Sequence, residues 1–283
     1  MQNLYDVPAP AKLNLFLHIT GRRSDGYHLL QSVFMLIDWC DTLHFGLRPD
    51  GAITREDLTH PLPEDDLTVR AARALQAATG CRLGAHIGIH KRIPAQAGMG
   101  GGSSDAATTL LALNRLWKLQ LPRSRLQSIG LRLGADVPFF LCRTNAWVEG
   151  IGDIIQSLGL EHQVPPASFV VVKPGSGLDT KTIFSHSLLK RDSVSATISD
   201  FAAMHYQFGV NDLQPVAMTV NPEVSQAINW LDSKGLKSRM TGSGSAVFAQ
   251  VTHAIDLHNA PAAWQVKVCE NLQLHPLAEW ASD

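Results

Sequence analysis

A run of glycines and serines that leads directly into a helical pattern constrains this chain more than any other feature. Residues 98–104 read Gly-Met-Gly-Gly-Gly-Ser-Ser, and apolar side chains then recur at helical spacing over residues 108–119. Glycine lets a backbone adopt positive φ and approach a ligand closely, and the first N–H groups of a helix lack internal partners. This corner therefore indicates an anion-binding site, such as one for a phosphate group, with a purely structural turn as the alternative.

The glycine run departs from the two commonest phosphate-binding motifs. A Walker A loop carries a lysine after its last glycine, and residues 98–104 contain none. The dinucleotide fingerprint G-x-G-x-x-G fails because Ser103 stands at its last glycine position. Ser103 and Ser104 leave a second class of function open, a hydrolase with a serine nucleophile, which requires a lysine or histidine beside the serine.

Composition excludes several other classes of protein. The chain has 283 residues, of which 45% are hydrophobic, and its formal net charge of −1 lacks the basic surplus of nucleic-acid-binding proteins. It has no apolar run of about 18 residues and no basic-then-apolar leader, so we expect no membrane span and a cytoplasmic location. The four cysteines are widely spaced, which predicts free thiols rather than a zinc site or disulfides.

Hydrophobic periodicity predicts a mixed α+β protein with two domains. Residues 11–19 alternate with period two, which predicts a strand with one apolar face and with Lys12 and Asn14 about 7 Å apart on the other. Further strands are predicted over residues 32–37, 42–47, 86–92, 169–173 and 246–251, and helices over residues 67–79, 108–119, 124–133 and 223–234. Gly80 is predicted to cap the first helix. The pattern restarts after about residue 150, which predicts a boundary between domains of residues 1–160 and 161–283.

Three segments together resemble the galactokinase, homoserine kinase, mevalonate kinase and phosphomevalonate kinase superfamily. They are residues 10–15 (Pro-Ala-Lys-Leu-Asn-Leu), the loop of residues 94–107, and residues 241–244 (Thr-Gly-Ser-Gly). Residues 26–28 (Gly-Tyr-His) and 133–140 (Leu-Gly-Ala-Asp-Val-Pro-Phe-Phe) are most similar to members that phosphorylate an alcohol carrying a cytidine diphosphate group in the non-mevalonate isoprenoid route. The resemblance covers the whole chain, although residues 185–210 match poorly.

The resemblance implies an N-terminal α/β domain with a left-handed βαβ unit that binds ATP and carries catalysis, and a C-terminal α/β substrate domain. It implies ATP and Mg²⁺ as cofactors, Asp136 as general base and Lys12 as its catalytic partner. The implied ATP-binding residues are Pro94, Ala95, Gln96, Ala97, Gly98, Met99, Gly100, Gly101, Gly102, Ser103 and Ser104. The implied substrate-binding residues are Asn14, Tyr27, His28, Thr180 and Phe184, of which Tyr27, His28 and Phe184 hold the cytosine. It assigns no metal ligand, and Gln96-Ala97 departs from the smaller residues that members more often carry there.

The residues suit this chemistry, but each has another reading by pattern alone. A lysine beside an aspartate keeps the carboxylate ionised and stabilises charge that develops at the reacting hydroxyl. Lys12 is also typical of a solvated strand residue, Asp136 of a turn, and Tyr27 and Phe184 of a core. Three other functions stay open: a kinase for another alcohol such as homoserine or mevalonate, a serine hydrolase, and a non-catalytic nucleotide sensor.

Overall fold

The chain forms two β-sheets with helices packed against them, as the computed structural model shows for residues 3–283. The strands are β1 Asn3–Arg22, β2 His28–Arg48, β3 Ile53–Asp57, β4 Gly84–His90, β5 Ala146–Glu149, β6 Ile154–Ser157, β7 Ser168–Lys173, β8 Ser238–Met240, β9 Val247–Gln250 and β10 Gln265–Glu270. The helices are α1 Leu67–Thr79, α2 Gly101–Leu116, α3 Arg123–Gly130, α4 Val137–Phe140, α5 Thr180–Ser185, α6 Ile198–Met204, α7 Gln214–Val220 and α8 Pro222–Ser233. Short 3₁₀ turns cover Leu160–His162 and His205–Gln207.

The first sheet has the strand order β3-β4-β2-β5-β6, with β1 paired antiparallel to β2. Strands β3 and β4 are parallel and are joined through α1, which makes them a βαβ unit. Helix α1 has the bounds that the sequence predicts, because both ends carry local signals. The side chain of Asp66 accepts a hydrogen bond from the N–H of Val69 at its start, and Gly80 adopts φ 67° at its end. The left-handed connection stays a prediction.

The second sheet has the order β10-β7-β9-β8 and packs against β1. One apolar cluster joins Leu13 and Phe16 of β1 to Val171 of β7 and Phe248 of β9. The second sheet covers the predicted apolar face, and the prediction that only this face is buried is wrong, because Phe34 and the start of α2 lie against the face that was expected to be polar. Lys12 lies buried on that strand.

Two other boundaries differ from the predicted ones. Strand β2 runs unbroken through residues 38–41, where the sequence predicted a connection between two strands. Helix α2 begins at Gly101 rather than near residue 108, because Gly100, at φ 72°, already turns the chain into the helix. Pro138 lies in the first turn of α4, a position that needs no backbone N–H.

The end of the chain returns to the N-terminal half. The N–H of Arg123 donates to the carbonyl of Ser282 (2.7 Å), and the N–H of His275 donates to the carbonyl of Arg143 (2.8 Å). Leu277 also packs in the apolar cluster of the first sheet and its helices. The last residues of the chain therefore pack with the first sheet and its helices.

The structure also bears on the predictions about cysteines and membrane spans. All four cysteines are free thiols, as the sequence predicts. No helix within residues 3–283 combines the length and the hydrophobicity needed to cross a membrane.

Candidate active site

Lys12 of β1 and Asp136, the residue before α4, form an ion pair in a cleft. Lys12 Nζ lies 3.6 Å from Asp136 Oδ2, and the two side chains are 4% and 30% exposed respectively. Burial lowers the pKa of Lys12, and the negative charge of Asp136 opposes part of that effect. The Lys12 ammonium also donates to Asn14 Oδ1 and lies 4.5 Å from the ring centre of Phe34. The cleft therefore holds a desolvated cation beside a carboxylate that solvent and ligands can reach.

The predicted phosphate loop surrounds a cavity of about 440 Å³, here named the loop cavity. Every residue from Pro94 to Ser103 lines it. Ser104 does not: it is fully buried, and its Oγ has no hydrogen-bond partner among the described residues. Helix α2 has Gly100 at its N-cap, with no hydrogen bond from a capping side chain. The unpaired N–H groups of the first turn are thus free to face a ligand.

A second loop, residues 241–245, is joined directly to the phosphate loop. The N–H of Ser245 donates to the carbonyl of Gln96, and the N–H of Ala246 donates to the carbonyl of Ala97, both at 3.2 Å. Gly98 lies so close to this loop that a Cβ there would sit 2.3 Å from the carbonyl oxygen of Thr241. The two loops therefore hold each other in place, and glycine at position 98 permits the contact.

The Lys12–Asp136 pair lines a central cavity of about 440 Å³, which adjoins the loop cavity. The two cavities share Gln96, Gly98 and Gly100 as walls. Asn14 and Thr180 also line the central cavity. Thr180 Oγ1 lies 2.7 Å from the hydroxyl of Ser243, which ties the start of α5 to the second loop.

An outer cavity of about 540 Å³ continues the cleft on its other side and contains the predicted cytosine-binding residues. It shares Phe184 with the central cavity, whereas Tyr27 and His28 line only the outer one. The rings of His28 and Phe184 are 5.4 Å apart at 44°, and Tyr27 is 60% exposed. The three side chains thus surround one space, with the Tyr27 ring open to solvent.

A buried charge network beside the phosphate loop was not predicted. The Lys91 ammonium contacts the carboxylates of Asp41 and Asp105, and Asp41 also accepts from the N–H groups of Arg92 and Ile93. Burial, opposed by Lys91 and reinforced by Asp41, raises the pKa of Asp105 to about 8. The network fixes the end of β4 to the first turns of α2. The signal available in the sequence was Asp105, a charged residue that directly follows Ser103 and Ser104 at the start of an otherwise apolar helix.

Two aspartates line the central cavity. No group of three or more His, Cys, Asp or Glu side chains capable of holding a metal ion occurs within residues 3–283. Asp136 and Asp179 are the carboxylates among the residues lining the central cavity, and Asp179 is already engaged by the N–H and hydroxyl of Thr182.

Comparisons with known proteins agree with this arrangement. Residues 66–144 match the GHMP kinases N terminal domain and residues 189–269 match the GHMP kinases C terminal domain, families whose initials are those of the predicted superfamily. The chain is 76% identical over 280 residues to a 4-diphosphocytidyl-2-C-methyl-D-erythritol kinase of Acidovorax ebreus (strain TPSY), covering 99% of both chains. A protein of the same name from Paracidovorax citrulli (strain AAC00-1) is 71% identical, over 100% of this chain and 99% of that protein.

Solved structures give the same result. A crystal structure of 4-(cytidine 5'-diphospho)-2C-methyl-D-erythritol kinase aligns with a TM-score of 0.77 at 28% identity, over 95% of this chain and 99% of that one. A mevalonate kinase aligns with a TM-score of 0.67 at 11% identity, over 97% and 99% of the two chains, which shows the shared fold alone. The predicted superfamily and α+β fold class are confirmed.

Proposed function

The chain belongs to the family of 4-diphosphocytidyl-2-C-methyl-D-erythritol kinases, and from this membership and the cleft we propose its reaction. It transfers the γ-phosphoryl group of ATP to the 2-hydroxyl of 4-diphosphocytidyl-2-C-methyl-D-erythritol, a step of non-mevalonate isoprenoid synthesis. One observation supports this most directly: the Lys12–Asp136 pair lies between a glycine-lined cavity and an aromatic one. A kinase places its reacting groups in that way, between the phosphate donor and the acceptor.

ATP is proposed to occupy the loop cavity, with its phosphates against residues 94–103. Backbone N–H groups at the start of α2 and the positive end of the helix dipole favour an anion there. Ser104 is excluded from direct contact in this proposal because its side chain is buried. The γ-phosphate would then point across Gly98 and Gly100, the shared wall, toward Lys12 and Asp136.

The proposed transfer uses Asp136 as the group that orients and deprotonates the acceptor. The substrate hydroxyl oxygen forms the new bond to the γ-phosphorus while the bond from that phosphorus to the bridging oxygen breaks, and ADP leaves with that electron pair. The hydroxyl proton goes to the Asp136 carboxylate. Lys12 stabilises the negative charge that accumulates during transfer, and its burial makes that interaction stronger than it would be in water.

Mg²⁺ is proposed to accompany ATP. Magnesium in kinases is held by one or two protein oxygens together with substrate phosphates, so no dedicated cage of side chains is required. The hydroxyl of Ser103, which lines the loop cavity, fits that need. Ser103 would hold the ion together with the phosphates, and the ion would neutralise charge on them.

The cytidine group is proposed to bind in the outer cavity. Tyr27 and Phe184 supply aromatic faces for stacking, and His28 supplies hydrogen bonds to the base edge. Asn14 and Thr180, which line the central cavity, would contact the remainder of the substrate. We further propose the domain division of residues 1–160 for ATP binding and catalysis and 161–283 for substrate, and a reducing, cytoplasmic location in keeping with four free thiols.

An ATP-consumption assay against a panel of small alcohols tests the proposal. The panel pairs methylerythritol, homoserine and mevalonate with the cytidine diphosphate derivative of methylerythritol. We expect ADP release with the cytidine derivative and none above background with the others. Equal or greater turnover of homoserine or mevalonate would favour the alternative within the superfamily. Labelling of Ser103 by a fluorophosphonate, without ATP consumption, would favour a hydrolase.

A further inference from the structure

Arg191 is hydrogen-bonded to His28, one of the residues that line the outer cavity. Its Nε donates to His28 Nε2 at 3.1 Å. Its two terminal nitrogens donate to the carbonyl oxygens of Leu189 (2.9 Å) and His186 (2.8 Å). The guanidinium plane is therefore fixed by three hydrogen bonds, although it belongs to the stretch of sequence with the poorest match to the superfamily.

This contact decides where His28 carries its proton. A guanidinium has donors and no acceptor, so the ring nitrogen facing it must present a lone pair. His28 Nε2 is therefore unprotonated, and the neutral ring carries its hydrogen on Nδ1. Burial, then the positive charges of Arg191 and Arg22, lower the pKa of His28, which keeps the ring neutral. No hydrogen bond occupies Nδ1 within residues 3–283, so this N–H is free to serve a ligand in the cavity that the ring lines.

We propose that Arg191 is a specificity-determining positioning residue, which fixes His28 in the Nδ1–H tautomer so that the ring selects cytosine over uracil. The inference rests on the proposed cytidine site. Cytosine offers acceptors at N3 and O2, whereas uracil carries a hydrogen on N3. A fixed N–H donor pairs with the cytosine edge and opposes the N3–H of uracil, which leaves two polar groups unpaired. Such a mismatch reduces affinity by roughly 5- to 150-fold.

Dissociation constants for CDP and UDP test this directly. They are measured by calorimetry with the ATP site saturated by a non-hydrolysable ATP analogue, so that only the outer cavity is titrated. We expect the wild type to prefer CDP by the factor above. Arg191→Met removes the donor to His28, lets both tautomers form, and should bring the UDP-to-CDP ratio of dissociation constants close to one.

Arg22→Met is the matched control. Arg22 also places a positive charge near His28, but its Nε donates to the carbonyl of Gly26 and not to the ring. If the positive charge near His28 were the cause, both variants would lose discrimination between CDP and UDP. If Arg191 acts by fixing the tautomer of His28, only Arg191→Met loses it. An unchanged ratio in folded Arg191→Met, or an equal loss in both variants, would overturn the inference.

A second measurement needs no variant. In ¹⁵N-labelled wild-type protein at pH 7, the two ring nitrogens of His28 give distinct NMR shifts for the protonated and unprotonated forms. We expect Nδ1 to be protonated and Nε2 unprotonated, and the reverse would overturn the inference. Equal affinity of the wild type for CDP and UDP would overturn this inference alone. No binding of CDP at all would overturn the proposed function and this inference with it.

Discussion

Replacing Asp136 by asparagine removes one charge from the centre of the cleft and nearly nothing else. At 3.6 Å, the attraction between Asp136 and Lys12 ranges from about 1 kcal/mol in water to about 5 kcal/mol at an effective dielectric constant of 20. Asp136 is partly exposed, so the lower part of that range applies. Without this attraction, burial acts on Lys12 unopposed and lowers its pKa further. The variant therefore loses the base and also weakens the cation that is proposed to stabilise the transferred charge.

We expect the turnover number of Asp136→Asn to fall about 10²- to 10⁴-fold, with little change in either Michaelis constant. The alkaline limb of its pH–activity profile should shift to lower pH than that of the wild type, because Lys12 loses its proton more readily. Lys12→Met should cost a similar factor, and the double variant should lose far less than the product of the two. Asp179→Asn is the control, since it removes a carboxylate from the same cavity while asparagine still caps α5. A turnover number for Asp136→Asn within about threefold of wild type would refute the catalytic role.

Three further predictions concern the loop cavity, the outer cavity and the buried charge network. Gly101→Val should weaken ATP binding measured by calorimetry, because a Cβ at this position would lie 3.0 Å from Ile93. Gly102→Ala is the control and should bind ATP normally, because its Cβ would lie 3.6 Å from the nearest atom. Equal affinities of the two variants for ATP would contradict the assignment of the loop. Tyr27→Ala and Phe184→Ala should each raise the Michaelis constant for the cytidine substrate roughly 5- to 150-fold and leave that for ATP unchanged, and a parallel rise in both constants would argue against stacking. Asp105 has a pKa of about 8 when folded and about 3.9 when unfolded, so the folded state binds more protons and the free energy of unfolding should fall as pH rises from about 4 to about 8. Asp105→Asn should flatten that slope in denaturant titrations across this pH range, and an unchanged slope would show that another group causes it.

The parts of the fold that the sequence predicts well are those with local signals at both ends. Helix α1 was predicted with its observed bounds because an aspartate caps its start and a glycine ends it. Strand β7 and helix α8 were each predicted to within a residue for the same reason, since Pro174 and Pro222 mark their limits. Hydrophobic period alone set the remaining boundaries, and the larger shifts are among those, such as the start of α2 and the break expected within β2.

The errors arise where distant segments decide the outcome. Strand β2 continues through residues 38–41 because β1 pairs with Ile37, Cys40 and Asp41 on the two sides of a bulge. Asp41 is also satisfied by Lys91 and two backbone N–H groups. Neither partner can be inferred from the turn-like composition of residues 38–41. The glycine run likewise looked like loop, whereas tertiary packing of α2 in the core of the first sheet extends the helix back to Gly101.

The same long-range packing produces the chemistry proposed for the site. Lys12 stands at a position that strand periodicity assigns to solvent, and in water a lysine beside an aspartate contributes little. Phe34 and the start of α2 cover that face and the segment carrying Asp136 closes the cleft beside it, so the ammonium is desolvated and its interaction with a developing negative charge is strengthened. Sequence alone could identify the two residues through their resemblance to a kinase motif, but it could not give the burial on which their effect depends. The strength of this ion pair therefore depends on packing between distant segments. A substitution that disturbs the loop whose Met99 carbonyl accepts from the Lys12 N–H, such as Gly98→Ala against the carbonyl of Thr241, should reduce the turnover number without changing Lys12 or Asp136.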